Sequence, residues 1–284
     1  LVKKKYDFVQ FENIFVAIYY KTVRVNSTAK IILNSANIEF EIWERLASKS
    51  SFVKNNYFKT LAKQLKKEEI EIWNNMDGII CATSKDELGL KKHLKEEKEM
   101  VVIPFYLDVS KYKLVNKQDV SISFFHLGAM DWMPNVEGVN WFIDEVWNEI
   151  NTESKLSLAG KSMPESIFEK GTKNLEVYGF VDSAQEFMNN HDVMVVPLFS
   201  GSGIRVKIIE AMALGKCVIS TSVGAEGINY SEGENILIAN TKEEFIAVIN
   251  EVSSDIDRVK NIGKNARLFI EKNHDISLME QKIN

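Results

Sequence analysis

Short runs of Val, Ile, Leu and Phe alternate with longer stretches of helical period along nearly all of this 284-residue chain. The apolar runs predict strands at residues 7–11, 30–35, 78–82 and 101–104, and again at 121–127, 155–159, 175–178, 193–197, 216–220 and 235–239. Most of these runs are apolar at successive positions rather than at every second one. That pattern suits strands of a parallel sheet covered on both faces. Between them, Val136, Val139, Ile143, Val146 and Ile150 recur at helical spacing, as do Phe58, Leu61, Leu65 and Ile72. Strand–helix alternation of this kind predicts an α/β chain with doubly wound parallel sheets.

A polar stretch rich in Lys, Asp and Asn interrupts the alternation over residues 105–120, and a fresh strand starts at Ser121. The domain boundary is placed there, with a first domain over 1–108, a second over 109–267 and a closing segment over 268–284. The second part holds six strand candidates, enough for a complete sheet, and the first about four. Gly128, Gly160, Gly179, the pair Gly201 and Gly203, and Gly224 each follow a strand candidate of the second part. In an open parallel sheet these turns share the carboxyl edge, where such folds bind ligands. The plainer reading is that strand-to-helix loops need glycine whatever their purpose.

The segment after the run ending at Pro197 carries the most chemistry. Gly201, Ser202, Gly203 and Ile204 lead into a helix on which Arg205, Lys207 and Glu210 are the charges among apolar residues. Two cations at a helix N-terminus oppose the helix dipole, and buried charge is costly unless it is paired. An anion held by the free N–H groups of the glycine loop would reconcile both. On this reading Arg205, in the first turn, and Lys207 neutralise a diphosphate, and Glu210 accepts ribose hydroxyls. Arginine suits the task because its planar donors bind phosphate bidentately. The alternative pairs Lys207 with Glu210 and sends Arg205 to solvent. Two further loops belong to the same edge. One is 128–135, with Pro134 suited to a first helical turn. The other is Tyr178-Gly179-Phe180-Val181-Asp182, where an aromatic could flank a base and Asp182 could equally cap the next helix.

Composition narrows the classes. A net charge of −5 gives no nucleic-acid footprint. No apolar run reaches the roughly 18 residues of a membrane span. Cys81 and Cys217 lie in apolar runs and are read as buried thiols of a reducing cytosol in preference to a disulfide. His93, His126, His191 and His274 lack metal-ligand spacing, so no metal is expected. His126 is the best placed, at a strand end beside Gly128, and reads equally as a core histidine. Lys54, Lys59, Lys63, Lys66 and Lys67 make one helix basic on its polar side, but Glu68, Glu69 and Glu71 follow at once and favour a solvated face over a membrane contact. The arginines are Arg24, Arg45, Arg205, Arg258 and Arg267; the lysine excess is read as genome composition.

The residues carry a family likeness. The second part resembles the nucleotide-binding domain of group 1 (family 4) retaining glycosyltransferases, through Gly128, Pro134-Asn135, Gly160, Tyr178-Gly179-Phe180-Val181, Gly201 to Lys207, Glu210-Ala211-Met212-Ala213-Leu214-Gly215 and Val218-Ile219-Ser220-Thr221. The first part looks like the end of an acceptor domain, through Asn37-Ile38-Glu39 and Ala82-Thr83-Ser84-Lys85-Asp86. The resemblance implies a GT-B-like fold of two Rossmann-like domains with parallel sheets, the first incomplete because the chain starts at Leu1, and a last helix crossing back to the first domain. It implies transfer of a sugar from a nucleotide-diphosphate sugar to a saccharide, lipid-linked or other hydroxyl acceptor, with retention, in bacterial polysaccharide biosynthesis. No cofactor or metal is implied. The location implied is the cytoplasm or the inner face of the membrane. Arg205 and Lys207 would then be catalytic, and Gly128, Phe180, Val181, Ser202, Gly203, Ile204 and Glu210 would bind the donor. Many members carry two glutamates separated by seven intervening residues; Glu210 matches the second, and Ser202 stands at the first. Many also carry Arg and Lys in the loop after the first strand of the second domain, and the 128–135 loop has neither, so Arg205 and Lys207 are read as their replacements. The rival readings are a non-catalytic nucleotide-sugar-binding or assembly subunit and a nucleotide-sugar epimerase of the same fold.

Overall fold

The computed structural model describes residues 5–49, 52–115, 121–150, 153–201 and 203–283. The chain divides into two compact units, one of Leu1–Phe105 with Ser200–Ile204, the other of Tyr106–Phe199 with Arg205–Asn284.

Unit 1 runs β1 (Phe8–Phe11), α1 (Ile14–Ala17), α2 (Tyr20–Asn26), β2 (Lys30–Ser35), α3 (Glu39–Lys49), α4 (Phe52–Asn74), β3 (Gly78–Cys81), α5 (Ser84–Lys91) and β4 (Glu99–Val102). Its four strands are parallel and lie in chain order. The last strand sits two residues earlier than the expected 101–104. Ile103, one residue past the strand, still donates to the Cys81 carbonyl at 2.9 Å. Ile31, Leu33, Ile79 and Cys81 from the sheet meet Phe40, Trp73 and Leu90 from the helices, and Met76 from the turn after α4, in one buried cluster. On the basic side of α4, Lys59, Lys63 and Lys67 are exposed, and Lys66 lies 4.5 Å from the centre of the Phe40 ring.

Glu69 is the unusual member of this core. It is fully buried on α4, and its carboxylate accepts the backbone N–H groups of Glu39 (3.1 Å) and Phe40 (2.8 Å) at the start of α3. One side chain thus caps the N-terminus of a neighbouring helix. Burial first, with the charges of Glu39 and Glu41 adding, pushes its pKa from 4.5 up to about 7 against the lowering effect of the two N–H groups.

Unit 2 continues with β5 (Ser123–Leu127), α6 (Met133–Trp141), β6 (Lys155–Ala159), α7 (Glu165–Phe168), β7 (Leu175–Gly179), α8 (Ala184–Asn189), β8 (Val193–Val196), α9 (Val206–Ala213), β9 (Cys217–Ser220), β10 (Leu237–Ile238), α10 (Lys242–Ser253), α11 (Ile256–Asn273) and α12 (Ile276–Ile283). Its six parallel strands lie in the order β10-β9-β8-β5-β6-β7. The chain enters at β5, winds outward through β6 and β7, then returns to β8 on the other side and winds outward again. The reversal lies between β5 and β8, which pair at Phe124↔Val193 and Phe125↔Met194. After α6 the helix loosens into a π turn at Phe142–Val146, and the buried Phe142 and Trp147 rings stack 6.3 Å apart. The apolar spacing read for this helix holds, with one π turn inserted near its end.

Arg267 on α11 ties the entry of this unit to its centre. Its guanidinium donates to the carbonyls of Tyr112 (2.6 Å), Val109 (3.3 Å) and Ala213, and to Glu271 (2.6 Å). Ala213 ends α9, so the cation also lies where the helix dipole favours it. Residues 268–284, expected to cross to the first domain, are grouped with unit 2, where Leu107 pairs with Asp275. Among the described residues no helix is long and apolar enough to cross a membrane, and no cluster of three or more His, Cys, Asp or Glu could hold a metal.

Two outcomes are expected. Between pH 4.5 and about 7 folded Glu69 keeps a proton that the unfolded chain has released, so its contribution to stability declines as pH rises through that window, by up to about 3 kcal/mol. Glu69→Gln should flatten that part of the stability-versus-pH curve in denaturant titrations; an unchanged slope refutes the assignment. Arg267→Met should lower stability by about 2–3 kcal/mol, read in urea melts, because buried carbonyls lose a charged donor.

Candidate functional site

The reversal between β5 and β8 is where an open parallel sheet leaves a crevice at its carboxyl edge. Three elements bring side chains to it. His126 is the fourth residue of β5 and is buried. Asn135 lies in the first turn of α6, next to Pro134, and is also buried. Lys207 is the second residue of α9 and is half-buried. Its ammonium nitrogen donates to Asn135 Oδ1 at 2.9 Å and lies 3.4 Å from His126 Nε2. Asn135 is oriented in turn by a 2.8 Å bond from its Nδ2 to the Ala129 carbonyl.

The loops make room for this by backbone contact. A Cβ on Gly128 would stand 2.7 Å from Asn135 Nδ2 and 2.9 Å from Lys207 Nζ. A Cβ on Gly160 would overlap the Gly128 carbonyl. The loops after β5 and β6 therefore touch backbone to backbone, and the Gly128 N–H donates to Ala159 O at 3.0 Å. Only glycine allows that approach.

Positive charge is concentrated here. Arg205 is buried at the N-cap of α9, with its guanidinium carbon 5.1 Å from the centre of the Trp132 ring. Burial first, and the Arg205 charge second, push the Lys207 pKa from 10.5 down to about 7. Burial likewise holds His126 well below its usual value, reinforced by Lys207 and opposed by its bond to the Val195 carbonyl. Two cations next to a helix N-terminus make the local potential positive, which favours a negatively charged group there.

The residues singled out from the sequence divide into groups. Gly128 and Lys207 come together, and Arg205 lies close enough to act on Lys207 by charge. Arg205 does not sit in the first helical turn, as expected; it is extended (φ −83°, ψ 90°) and caps α9, which starts one residue later. Glu210 accepts the Tyr112 hydroxyl at 3.0 Å rather than pairing with Lys207. Phe180, 70% exposed, and the half-buried Val181 follow β7 at the same sheet edge. Ser183, not Asp182, caps α8 by accepting from Glu186 N. Gly203 (φ 79°) and Ile204 are grouped with unit 1, where a Cβ on Gly203 would collide with Asn37 and Arg45 donates to Gly201 O at 3.1 Å. Ser202 lies outside the described residues. Asn135, Trp132 and Tyr112 had no role assigned from the sequence. The first two sit in the loop that supplied the helix-entry signal, but their use depends on α9 lying opposite.

Residues 121–255 match the family model for glycosyl transferases group 1. That match takes in His126, Gly128, Asn135, Arg205, Lys207 and Glu210, the whole crevice between β5 and β8. The chain is 27% identical over 292 aligned positions to an uncharacterized 44.6 kDa protein in the cps region of Klebsiella pneumoniae, covering 96% of this chain and 72% of that protein. Its structure is similar to sucrose-phosphate synthase from Thermosynechococcus elongatus (TM-score 0.78, 16% identity, 98% of this chain and 72% of that one). It is also similar to Anabaena Alr3699/HepE in complex with UDP-glucose (TM-score 0.76, 14% identity, 98% and 77%). At these identities the structural likeness is one of fold. The α/β architecture with two parallel sheets matches that of GT-B glycosyltransferases.

The shifted lysine is directly measurable. In 13Cε-lysine NMR, Lys207 should titrate near pH 7, and Arg205→Gln should move it upward toward the usual lysine range. A Lys207 resonance titrating above 10 in the unaltered chain would refute the electrostatic description.

Proposed function

We propose that the chain is a glycosyltransferase that moves a sugar from a nucleotide-diphosphate sugar to an acceptor hydroxyl with retention of configuration. The observation that carries this reading is the pair Arg205 and Lys207 at the sheet reversal, inside the segment matched by glycosyl transferases group 1. As the glycosidic bond breaks, negative charge grows on the departing diphosphate. Cations and backbone N–H groups already fixed in a partly dry site stabilise that charge without reorganising. Lys207 takes up this role through its fixed ammonium and Arg205 through its planar donors, held in place under the Trp132 ring. No metal or cofactor enters the proposed reaction.

Gly128 lets the donor approach backbone and lysine together. Phe180 and Val181, after β7, are proposed to flank the base. Glu210, oriented by Tyr112, is proposed to accept the ribose hydroxyls, and Ser202, Gly203 and Ile204 to line the sugar side. UDP-glucose, bound by Anabaena HepE, is the first donor to try. The acceptor is proposed to be a saccharide or lipid-linked hydroxyl of a cell-surface polysaccharide, in keeping with the cps region that gives the Klebsiella relative its name. Work at the cytoplasmic face of the membrane fits that acceptor class.

Calorimetric titration with UDP and UDP-glucose tests this reading. Arg205→Ala and Lys207→Ala should each weaken binding by about 10- to 100-fold, the range for losing one charged hydrogen bond to a phosphate. Unchanged affinity in both variants would sink the site assignment. Tight donor binding without turnover on any saccharide acceptor would favour the non-catalytic binding subunit instead.

A further inference from the structure

The hydrogen bonds around Lys207 run in one direction only. At one end His126 Nδ1 lies 2.8 Å from the Val195 carbonyl, and a carbonyl can only accept. The ring proton is therefore on Nδ1, and Nε2 presents a bare lone pair to Lys207. At the other end the Ala129 carbonyl fixes Asn135 with its Nδ2 outward, so Oδ1 faces Lys207. Lys207 must donate to both neighbours whatever its charge. A neutral amine has two hydrogens, and both are then used; its lone pair is what remains to face the crevice. The ammonium has a third hydrogen, and among the described residues no protein atom takes it.

We propose that His126, with Asn135, is a positioning residue that fixes Lys207 as a donor of a single hydrogen, so that an anionic ligand is held only when that amine carries its proton and binding is coupled to proton uptake. Adding or removing the proton exchanges a donor for a lone pair at the point where the ligand's phosphate oxygen arrives. The inference rests on the reading of this crevice as a diphosphate site.

The surroundings leave few other groups to account for such coupling. His126 on β5 is held neutral by burial, and Asn135 on α6 does not titrate. Arg205, at the N-cap of α9, stays charged. Glu210, one turn further along α9, is engaged by Tyr112. In the adjoining loop Asp131 pairs with Lys161 at 2.9 Å. With Lys207 near 7 in the free protein, the sign of the effect follows. Below that pH the amine is already charged and no proton is needed. Above it each pH unit lowers affinity by up to tenfold, until the higher pKa of the bound state is reached.

The test is calorimetric binding of UDP and of inorganic pyrophosphate at pH 6 and pH 8.5, each in two buffers of different ionisation enthalpy. The expected result is uptake approaching one proton at pH 8.5, almost none at pH 6, and an affinity falling at least tenfold between them. Lys207→Met should bind UDP weakly, with no uptake at pH 8.5, where its phosphate is fully ionised, and no loss of affinity from pH 6 to pH 8.5. His126→Leu should shrink the uptake at pH 8.5, because a neutral amine freed of one acceptor can turn a hydrogen to the ligand. His126→Gln, which can restore an acceptor, should recover it. Should the His126 variants fail to fold, judged by circular dichroism, Asn135→Leu provides the same comparison from the other side. Tight, pH-independent binding without uptake in the unaltered chain would overturn this inference and leave the site reading intact. Failure to bind either probe would overturn both.

Discussion

A lysine amine held among neutral acceptors, with a guanidinium close by, is the constraint from which the rest of unit 2 can be understood. Lys207 has His126 and Asn135 for partners and Arg205 for a neighbour, and none of them neutralises it. Such an arrangement raises the free energy of the empty protein. It persists because the surrounding structure is rigid: β5 and β8 are central strands of a six-stranded sheet, and Val193, Met194, Val195 and Val196 are fully buried. Rigid flanking strands let two backbone carbonyls, of Val195 and Ala129, dictate the polarity of every bond between them.

The same logic explains the glycines at that edge. The loops after β5 and β6 meet through the Gly128 and Gly160 backbones, and the ammonium lies against Gly128. A side chain at either position would separate the loops and displace the lysine. The entry of the unit is tied in from behind. Arg267 gathers the carbonyls of Val109, Tyr112 and Ala213, and Tyr112 then reaches Glu210 one turn beyond Lys207. A single guanidinium thereby connects the packing of α11 to the orientation of a carboxylate beside the crevice. Unit 1 places its buried charge differently. Glu69 meets two backbone N–H groups at the start of α3, so its ionised form has direct partners and a structural use.

Much of the fold was legible in the sequence because central strands such as β8 and β9 are buried at every position, and the strands of unit 1, buried at alternate positions or less, still carry short apolar runs. All ten strand candidates correspond to strands, displaced at most by a few residues at their ends. The helix after β5 was legible in its apolar spacing but not in its π turn. At the crevice, Lys207 and Gly128 stood out as a buried cation and a strand-end glycine. Arg205 stood out as well, but its capping position depends on α9 starting one residue after it. Asn135 looked like part of a helix entry, and His126 fitted a core histidine equally well.

The sequence by itself determined the α/β class, the strands, the carboxyl-edge loops and the three charges leading into one helix, because these depend on local periodicity and residue chemistry. Only the tertiary structure decided the partners of those charges. It set Lys207 against His126 and Asn135, residues 81 and 72 positions away, and gave Glu210 to Tyr112 rather than to Lys207. The physical reason is strand order. The chain leaves the centre of the sheet and comes back to it, so β5 and β8 become neighbours. Hydrogen bonds a few ångströms long are set by that adjacency, which residue spacing along the chain does not encode.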